Sequence, residues 1–337
     1  MVSVSITAKE LAEKLGLSAA AVSMALNHKP GVSESTRERV LKAAKEYNYD
    51  FGKQHIREEV ENGNIAFLVY RRHGAVVGDT LFFSAVTEGI ANACRALGYR
   101  MSMQYLHDEN LGMELRNLLS SDVSGVILLG TEMRAEDFAP FAAFPLPMVV
   151  LDGYFESISR DCVLINNVQG AFKATNYLIA KRQTQPGYLR SSYFIGNFEE
   201  RADGFFKAIR CNGMSTSASP VHLLAPSTEG AYADMKALIA QGDRLASCYF
   251  ADNDLIAAGA MRAFKEAGYR IPEDIGIVGF DNIAVCEVLD PPLTTVHVPK
   301  QAMGQLAVER LVHILKRKSS VNVKIEVETS ILRRKSL

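Results

Sequence analysis

Ile6-Thr7-Ala8-Lys9-Glu10-Leu11-Ala12, then Gly16-Leu17-Ser18, Val22-Ser23, Leu26-Asn27 and Val32-Ser33-Glu34-Ser35-Thr36-Arg37, read as three short helices with a tight turn between the first two. Thr7 to Glu10 has capping-box spacing: the Thr7 hydroxyl can accept from the Glu10 amide while the Glu10 carboxylate reaches back to the Thr7 amide. Leu11 and Leu15, with Ile6 just outside, make one apolar stripe, and Gly16 supplies the positive φ that ends the helix. Ser18 caps a second helix in which Val22 and Leu26 face inward, while Ala19, Ala20, Ser23 and Asn27 fall on other faces. A third helix follows Ser33, with Val40, Leu41, Ala44 and Tyr47 expected on its buried side. This is the pattern of a helix-turn-helix unit; a generic three-helix bundle is the blander alternative.

Position by position, the same residues resemble the headpiece of the lactose/galactose repressor (LacI/GalR) family. The resemblance implies that the second helix enters the DNA major groove, with Ala19, Ala20 and Met24 at base-reading positions. All three are apolar, so their partners would be thymine methyl groups rather than hydrogen-bonding base edges. Thr7, Ser18, Ser23 and Asn27 match positions that hold DNA, the two serines and Asn27 by its phosphates, where the amides and dipole at the helix N-terminus add to the contact. For Ser18 a capping role is expected as well.

Just beyond the headpiece the chain departs from the family pattern. Most members carry a proline, then Ala-Arg and a leucine that wedges into the minor groove. Here Tyr49-Asp50-Phe51-Gly52-Lys53-Gln54-His55-Ile56-Arg57-Glu58-Glu59-Val60 has no proline, no Ala-Arg pair, and glutamates where the wedge is expected. Glutamate would meet the dense negative potential of the groove. Two readings stay open: a charged linker, or a wedge made by Ile56 in a shifted register.

From Asn64 onward short apolar runs alternate with helical segments: 65–69, 125–129, 148–151, 193–196, 247–250 and 275–279. Such runs suit strands of parallel sheets buried on both faces, with helices crossing over. The motif order, above all Asn253-Asp254-Leu255-Ile256-Ala257-Ala258-Gly259-Ala260-Met261 and Ile271 to Asn282, resembles the periplasmic-binding-protein-like core of the same family. The expected fold is therefore an N-terminal all-α helix-turn-helix headpiece plus an α/β, two-lobed, periplasmic-binding-protein-like sensor domain. The expected boundaries are 1–50 for the headpiece, 51–63 for the linker and 64–337 for effector binding and dimerisation. Within the last, lobe 1 takes about 64–164 and 297–322, and lobe 2 about 165–292 and 323–337.

Ligands bind such folds in the crevice at the strand ends. By motif the resemblance puts Phe83, Asp152, Arg201, Asn253 and Asp281 there, with Phe83 as an apolar or stacking contact and the charged groups as directed hydrogen-bonding partners of hydroxyls. A sugar or related metabolite is the implied effector. Against that, Pro226 stands where the family often has an aromatic stacker, and the chain has no Trp. Turn capping by Asp152, Asn253 and Asp281, a solvated Arg201 and a core Phe83 are the structural alternatives.

Bulk properties narrow the class. Of 337 residues, 48% are hydrophobic and 22% charged, as in ordinary globular proteins, and no apolar run approaches a bilayer span. The opening MVSVSITAKELAEKLG lacks a charged n-region followed by an apolar h-region, so a cytoplasmic protein without membrane partners is expected, and a transport-type binding protein is not. The five cysteines form no CxxC pair and are expected to be reduced core filler, with no metal and no cofactor. The net charge is −1, yet residues 1–57 carry nine Lys/Arg against six Asp/Glu, which suits phosphate contact. No G-x-S-x-G, P-loop or HExxH stretch points to catalysis, so no enzyme activity is expected. The expectation is a transcriptional repressor that binds double-stranded DNA at a pseudo-palindromic operator as a homodimer, with a small-molecule effector between the lobes.

Overall fold

The computed structural model describes residues 6, 8–26, 31–47, 49, 62–78, 81–317 and 321–337. The chain divides into two compact units, Met1–Glu61 and Asn62–Leu337. Thr7, Asn27 and the linker residues 51–61, Ile56 among them, lie outside the described residues.

In the first unit, helices α1 (Ala8–Leu15), α2 (Ala19–Leu26) and α3 (Glu34–Glu46) pack around Leu11, Val22, Leu26, Val40 and Ala44. Gly16 adopts φ +66°, and the Leu17 amide reaches back to the Ala12 carbonyl at 3.0 Å, closing the end of α1. Ser18 Oγ accepts from the Ala21 amide at 3.1 Å, and Ser33 Oγ from Thr36 at 3.2 Å, so each serine supplies one of the acceptors that a helix start lacks. One core expectation fails. Tyr47 is exposed, with Lys14 Nζ 4.3 Å from its ring centroid, and Tyr49 fills the core instead, because α3 stops at Glu46 and the chain turns before re-entering.

The second unit holds two six-stranded sheets. The first has the order β11-β5-β4-β3-β1-β2 and is parallel throughout; its strands are β1 (Asn64–Tyr70), β2 (Arg100–Leu106), β3 (Val123–Leu129), β4 (Met148–Leu151), β5 (Asp161–Ile165) and β11 (Lys324–Val327). The second has the order β12-β10-β9-β8-β6-β7, with β6 (Gly187–Ser191), β7 (Val221–Leu224), β8 (Cys248–Ala251), β9 (Gly276–Asp281), β10 (Thr294–His297) and β12 (Ser330–Leu332). Only β12 runs antiparallel, against β10. Helices cover both faces, as the continuous apolar strands require. Among them are α4 (Leu81–Ala96) and α12 (Lys300–Arg317), which pack together beside the first sheet, and α7 (Asn167–Arg182), α8 (Gly196–Cys211) and α10 (Asp254–Glu266), which flank the second.

The chain passes from the first sheet to the second after β5, returns after β10 and crosses again between β11 and β12. The stretch 323–337, expected wholly in lobe 2, is thus divided: β11 pairs with β5 in lobe 1, and only β12 belongs to lobe 2. Tyr193 to Gly196, expected as a strand, is instead the loop Tyr193 to Ile195 and the first residue of α8; the strand lies earlier, at Gly187–Ser191, where Arg190 interrupts the apolar pattern. Four cysteines are buried as expected, but Cys211, at the end of α8, is exposed.

Candidate functional site

On α2, Ser18, Ala19 and Ala20 are exposed around the first turn, and Ser23 and Met24 are half-buried one turn on. The helix carries no acidic residue in its first turn, so nothing there opposes an approaching phosphate. The Met24 thioether lies close over Gly31, where a Cβ would come within 2.9 Å of Sδ.

Between the two sheets of the second unit the strand ends converge. Gly153 permits this on the lobe 1 side: a Cβ there would lie 2.8 Å from the Gly130 carbonyl oxygen, so only glycine lets the ends of β3 and β4 approach so closely. As a result Thr131 Oγ1 donates to Asp152 Oδ2 at 2.7 Å, with Asp152 in the left-handed region at φ +56°. From lobe 2, Asn197 Nδ2 donates to Asp152 Oδ1 at 2.9 Å, a buried hydrogen bond between the lobes. One turn along α8, Arg201 donates from Nε to Asn167 Oδ1 at 2.9 Å, from one terminal nitrogen to the Asp252 carbonyl, and from the other to Asp281 Oδ1 at 3.1 Å. Its guanidinium also lies 3.8 Å from the Phe280 ring centroid. Asp281 is held at φ +105°, its carbonyl bound by Lys300. Asn253 caps α10 by accepting from the Ile256 amide at 2.9 Å.

Of these, Thr131, Asp152, Asn197, Arg201, Asn253 and Asp281 line one small cavity of about 40 Å³. All five residues expected from the sequence, Phe83, Asp152, Arg201, Asn253 and Asp281, lie on its wall. Thr131, Asn197 and Asp254 lie there too and were not singled out. Asn197 stands four residues before Arg201 on the same helix face, a spacing that could have marked it; Asp254 is the second residue of the Asn-Asp motif.

Comparison with known proteins falls into the same two parts. Residues 7–50 match the model of bacterial regulatory proteins, lacI family, and residues 175–337 match the periplasmic binding protein-like domain. The chain belongs to the LacI family. Along nearly its whole length it is similar to the HTH-type transcriptional repressor PurR of Pasteurella multocida (strain Pm70), at 28% identity over 336 residues and 98% of each chain. The transcriptional regulator CelR in complex with cellobiose superposes with a TM-score of 0.73 at 24% identity, over 98% of this chain and 99% of the other. The lac repressor dimer bound to operator and the anti-inducer ONPF gives 0.71 at 23%, over 99% of each. The structural matches establish the fold: a helix-turn-helix headpiece with a two-sheet, periplasmic-binding-protein-like domain. Within the LacI family this chain is a DNA-binding transcriptional repressor and not an enzyme. No helix among the described residues is long and apolar enough to cross a membrane.

The cleft of this LacI-family protein concentrates carboxylates out of water. Burial pushes Asp152 up to about 7, against the opposing hydrogen bond from Thr131 and the nearby charge of Arg201. Asp254, buried and beside Asp281, is likewise raised to about 7, and Asp252 behind the cavity also reaches about 7 by burial. Asp281 is raised by burial too, although Arg201 and Lys300 favour its charged form. Lys300 is lowered by the same desolvation. The cleft therefore offers carboxyl groups able to accept or donate, one fixed guanidinium, carboxamides and the Phe83 ring.

Proposed function

We propose that this LacI-family repressor binds a pseudo-palindromic operator as a homodimer in the cytoplasm, and that a neutral polyhydroxylated molecule, a sugar or related polyol, acts as its effector in the interlobe cleft. One observation carries the effector reading: the buried network of Asp152, Asn197, Arg201 and Asp281, contributed by both lobes, lines a single cavity. Hydroxyls can both donate and accept, so they suit a wall that mixes carboxyl, carboxamide and guanidinium groups. Ring hydroxyls would take over the partners that Asp152 and Arg201 now find in the protein, and Phe83 would meet the apolar face of the ring. A ligand that bridges the two lobes binds one lobe arrangement better than another and so shifts operator affinity by that difference.

Residues 1–50 serve as the DNA-binding domain, 51–63 as the linker, and 64–337 as the effector-binding and dimerisation domain, with 324–327 assigned to lobe 1. Ser18, Ser23, Thr7 and Asn27 hold the DNA in register, and Ala19, Ala20 and Met24 meet thymine methyls. Supporting the homodimer, the edge strands of both sheets expose apolar side chains: Met103 at 38% and Tyr105 at 45% on β2, Val221 at 41% and Leu223 at 59% on β7.

Binding-site selection with the full-length protein tests the DNA part. The expected product is an inverted repeat with thymines at the positions facing Ala19, Ala20 and Met24; recovery of direct repeats or single half-sites would reject the symmetric dimer. For the effector part, Asp281→Ala is expected to abolish the change in operator affinity that sugars produce while leaving operator binding itself in place. Loss of DNA binding in that variant would make Asp281 a structural residue.

A further inference from the structure

Besides the inner cavity of the cleft, lobe 1 holds a hollow on the face of its sheet that packs against α4. Its volume is about 350 Å³, toward the lower end of the range of roughly 300–1,000 Å³ typical of small-molecule sites. Three adjacent strands make its floor, with Phe67 from β1, Met103 from β2 and Leu129 from β3. Val77 forms one wall and the first turns of α4 another. The Val77 wall is fixed: its amide donates to buried Glu132 at 2.9 Å, and a Cβ on Gly78 would come within 2.6 Å of the Gly74 carbonyl oxygen. Such a preformed hollow needs no ordering before a ligand enters. It shares only Phe83 with the lining of the inner cavity.

The polar side chains around it carry the argument. Thr87 is engaged, donating from Oγ1 to the Phe83 carbonyl at 2.8 Å. The side chains of Arg71, Ser84 and Tyr105 make no hydrogen bond or ion pair among the described residues. Ser84 and Tyr105 are exposed, and the Arg71 guanidinium lies over the Tyr105 ring, 4.0 Å from its centroid. No Asp or Glu lines the hollow, in contrast to the inner cavity with Asp152, Asp254 and Asp281. A guanidinium against apolar walls loses hydration, and a counter-charge compensates that loss. One cation calls for one negative charge: a phosphate dianion would leave its second charge in apolar surroundings, and a neutral molecule would leave the guanidinium unpaired. A carboxylate matches the guanidinium fork in charge and shape, and the Ser84 and Tyr105 hydroxyls can donate to the same oxygens.

We propose that this hollow is a second small-molecule site, separate from the cleft, that takes a monocarboxylate with an apolar body, an aromatic or medium-chain aliphatic acid. The carboxylate sits on Arg71 with Ser84 and Tyr105 beside it, and the apolar body lies over Phe67, Met103 and Leu129. The site stands at the open edge of β2, so a partner surface laid over that edge would bury Arg71 without a counter-charge. A bound carboxylate removes that cost, which makes the acid a stabiliser of contacts made through β2.

Calorimetry on the full chain tests it with benzoate, phenylacetate, hexanoate and octanoate, their primary amides, and phenyl phosphate. At least one acid should bind about tenfold or more tighter than its amide and than phenyl phosphate, since the amide lacks the charge that Arg71 pairs. Arg71→Met should weaken that acid by about tenfold or more, whereas Arg71→Lys, which keeps the charge and loses the fork, should retain part of the affinity. Ser84→Trp, an exposed substitution that fills the entrance, should abolish binding. Melting curves of the three variants confirm that they are folded. Binding by none of the four acids, an amide or phenyl phosphate bound as tightly as the acid, or an affinity unchanged in Arg71→Met would each overturn the site, the last by placing the acid elsewhere on the molecule. If no acid binds and Arg71→Met alters the sedimenting mass, the hollow is filled by a second copy of the chain and the proposal likewise falls.

Discussion

Asp152 is poised to respond to pH because it is buried, shared between Thr131 and Asn197, and raised to about 7 by that burial. An ordinary aspartate in the unfolded chain titrates near 3.9, so between the two values the folded protein binds a proton that the unfolded chain has released. The protonated Asp152 therefore contributes stability that is fully present below the unfolded pKa and is lost as pH rises toward about 7. The expected slope from this one site is on the order of 1 kcal/mol per pH unit within that window. Asp152→Asn, which keeps the shape but cannot ionise, should flatten the pH dependence of the unfolding free energy obtained from urea titrations between pH 5 and 7 by about that amount. Identical slopes in the two proteins would mean that Asp152 is charged in the folded state throughout. Asp252 and Asp254 are raised to about 7 as well, so the wild-type slope is the sum of several sites and the difference between the two proteins is the quantity to read.

At the scale of elements, one carboxylate organises the loop that follows β1. Buried Glu132 accepts from the amides of Arg72, His73 and Gly74 on Oε2, at 3.0, 3.1 and 2.8 Å, and from Val76 and Val77 on Oε1, at 2.9 Å each. Burial alone would raise its pKa, but the amides of Val77, Val76, Gly74 and His73 outweigh it and hold it below the usual carboxylate range. The loop walls the inner cavity through Val76, and His73 stacks on Tyr193 of the other lobe with ring centroids 5.0 Å apart. Glu132→Gln presents an amino group where an acceptor is needed, so it should cost roughly 2–4 kcal/mol and speed hydrogen exchange of the loop amides before any global unfolding. Unchanged exchange at 72–77 would show the loop to be held by other contacts. None of this was legible in the sequence, because a single Glu between Thr131 and Met133 carries no pattern. What could be read were features with local causes: the caps at Ser18 and Ser33, the Gly16 turn, and strands such as 65–69, 125–129 and 148–151 whose two buried faces make unbroken apolar runs. The loop at 193–196 looked the same in composition, yet its aromatics serve the cleft mouth, while the true strand spends Arg190 on a 2.6 Å pair with Glu199. Tyr47 and Tyr49 exchanged places because the phase of side chains cannot be followed past the end of α3. In the cleft, the five residues at strand and helix ends followed from motif positions, whereas Thr131 and Asn197 became visible only once the two lobes were brought together.

At the scale of the molecule, β2 and β7 are equivalent edges of two different lobes, and both carry exposed apolar side chains. Edge strands left open invite pairing with another chain, so a stable regulator must cover them or blunt them. A two-fold dimer gripping both edges would also sense any rotation of one lobe against the other, which gives cleft chemistry a route to the dimer without further contacts. Tyr105→Glu together with Leu223→Glu would place each new charge twice in such an interface while altering the isolated chain little, since exposed substitutions generally change stability within about 0.5 kcal/mol. The expected outcome in sedimentation is a fall from twice the chain mass to once. Operator affinity should fall by about 10²–10⁴, because the second headpiece no longer binds as part of the same molecule. Retardation on a full palindrome and on a single half-site separates this from unfolding: the double variant should bind both weakly and equally, whereas an unfolded protein binds neither. A variant that still sediments at twice the chain mass and still prefers the palindrome would move the dimer contact to another face.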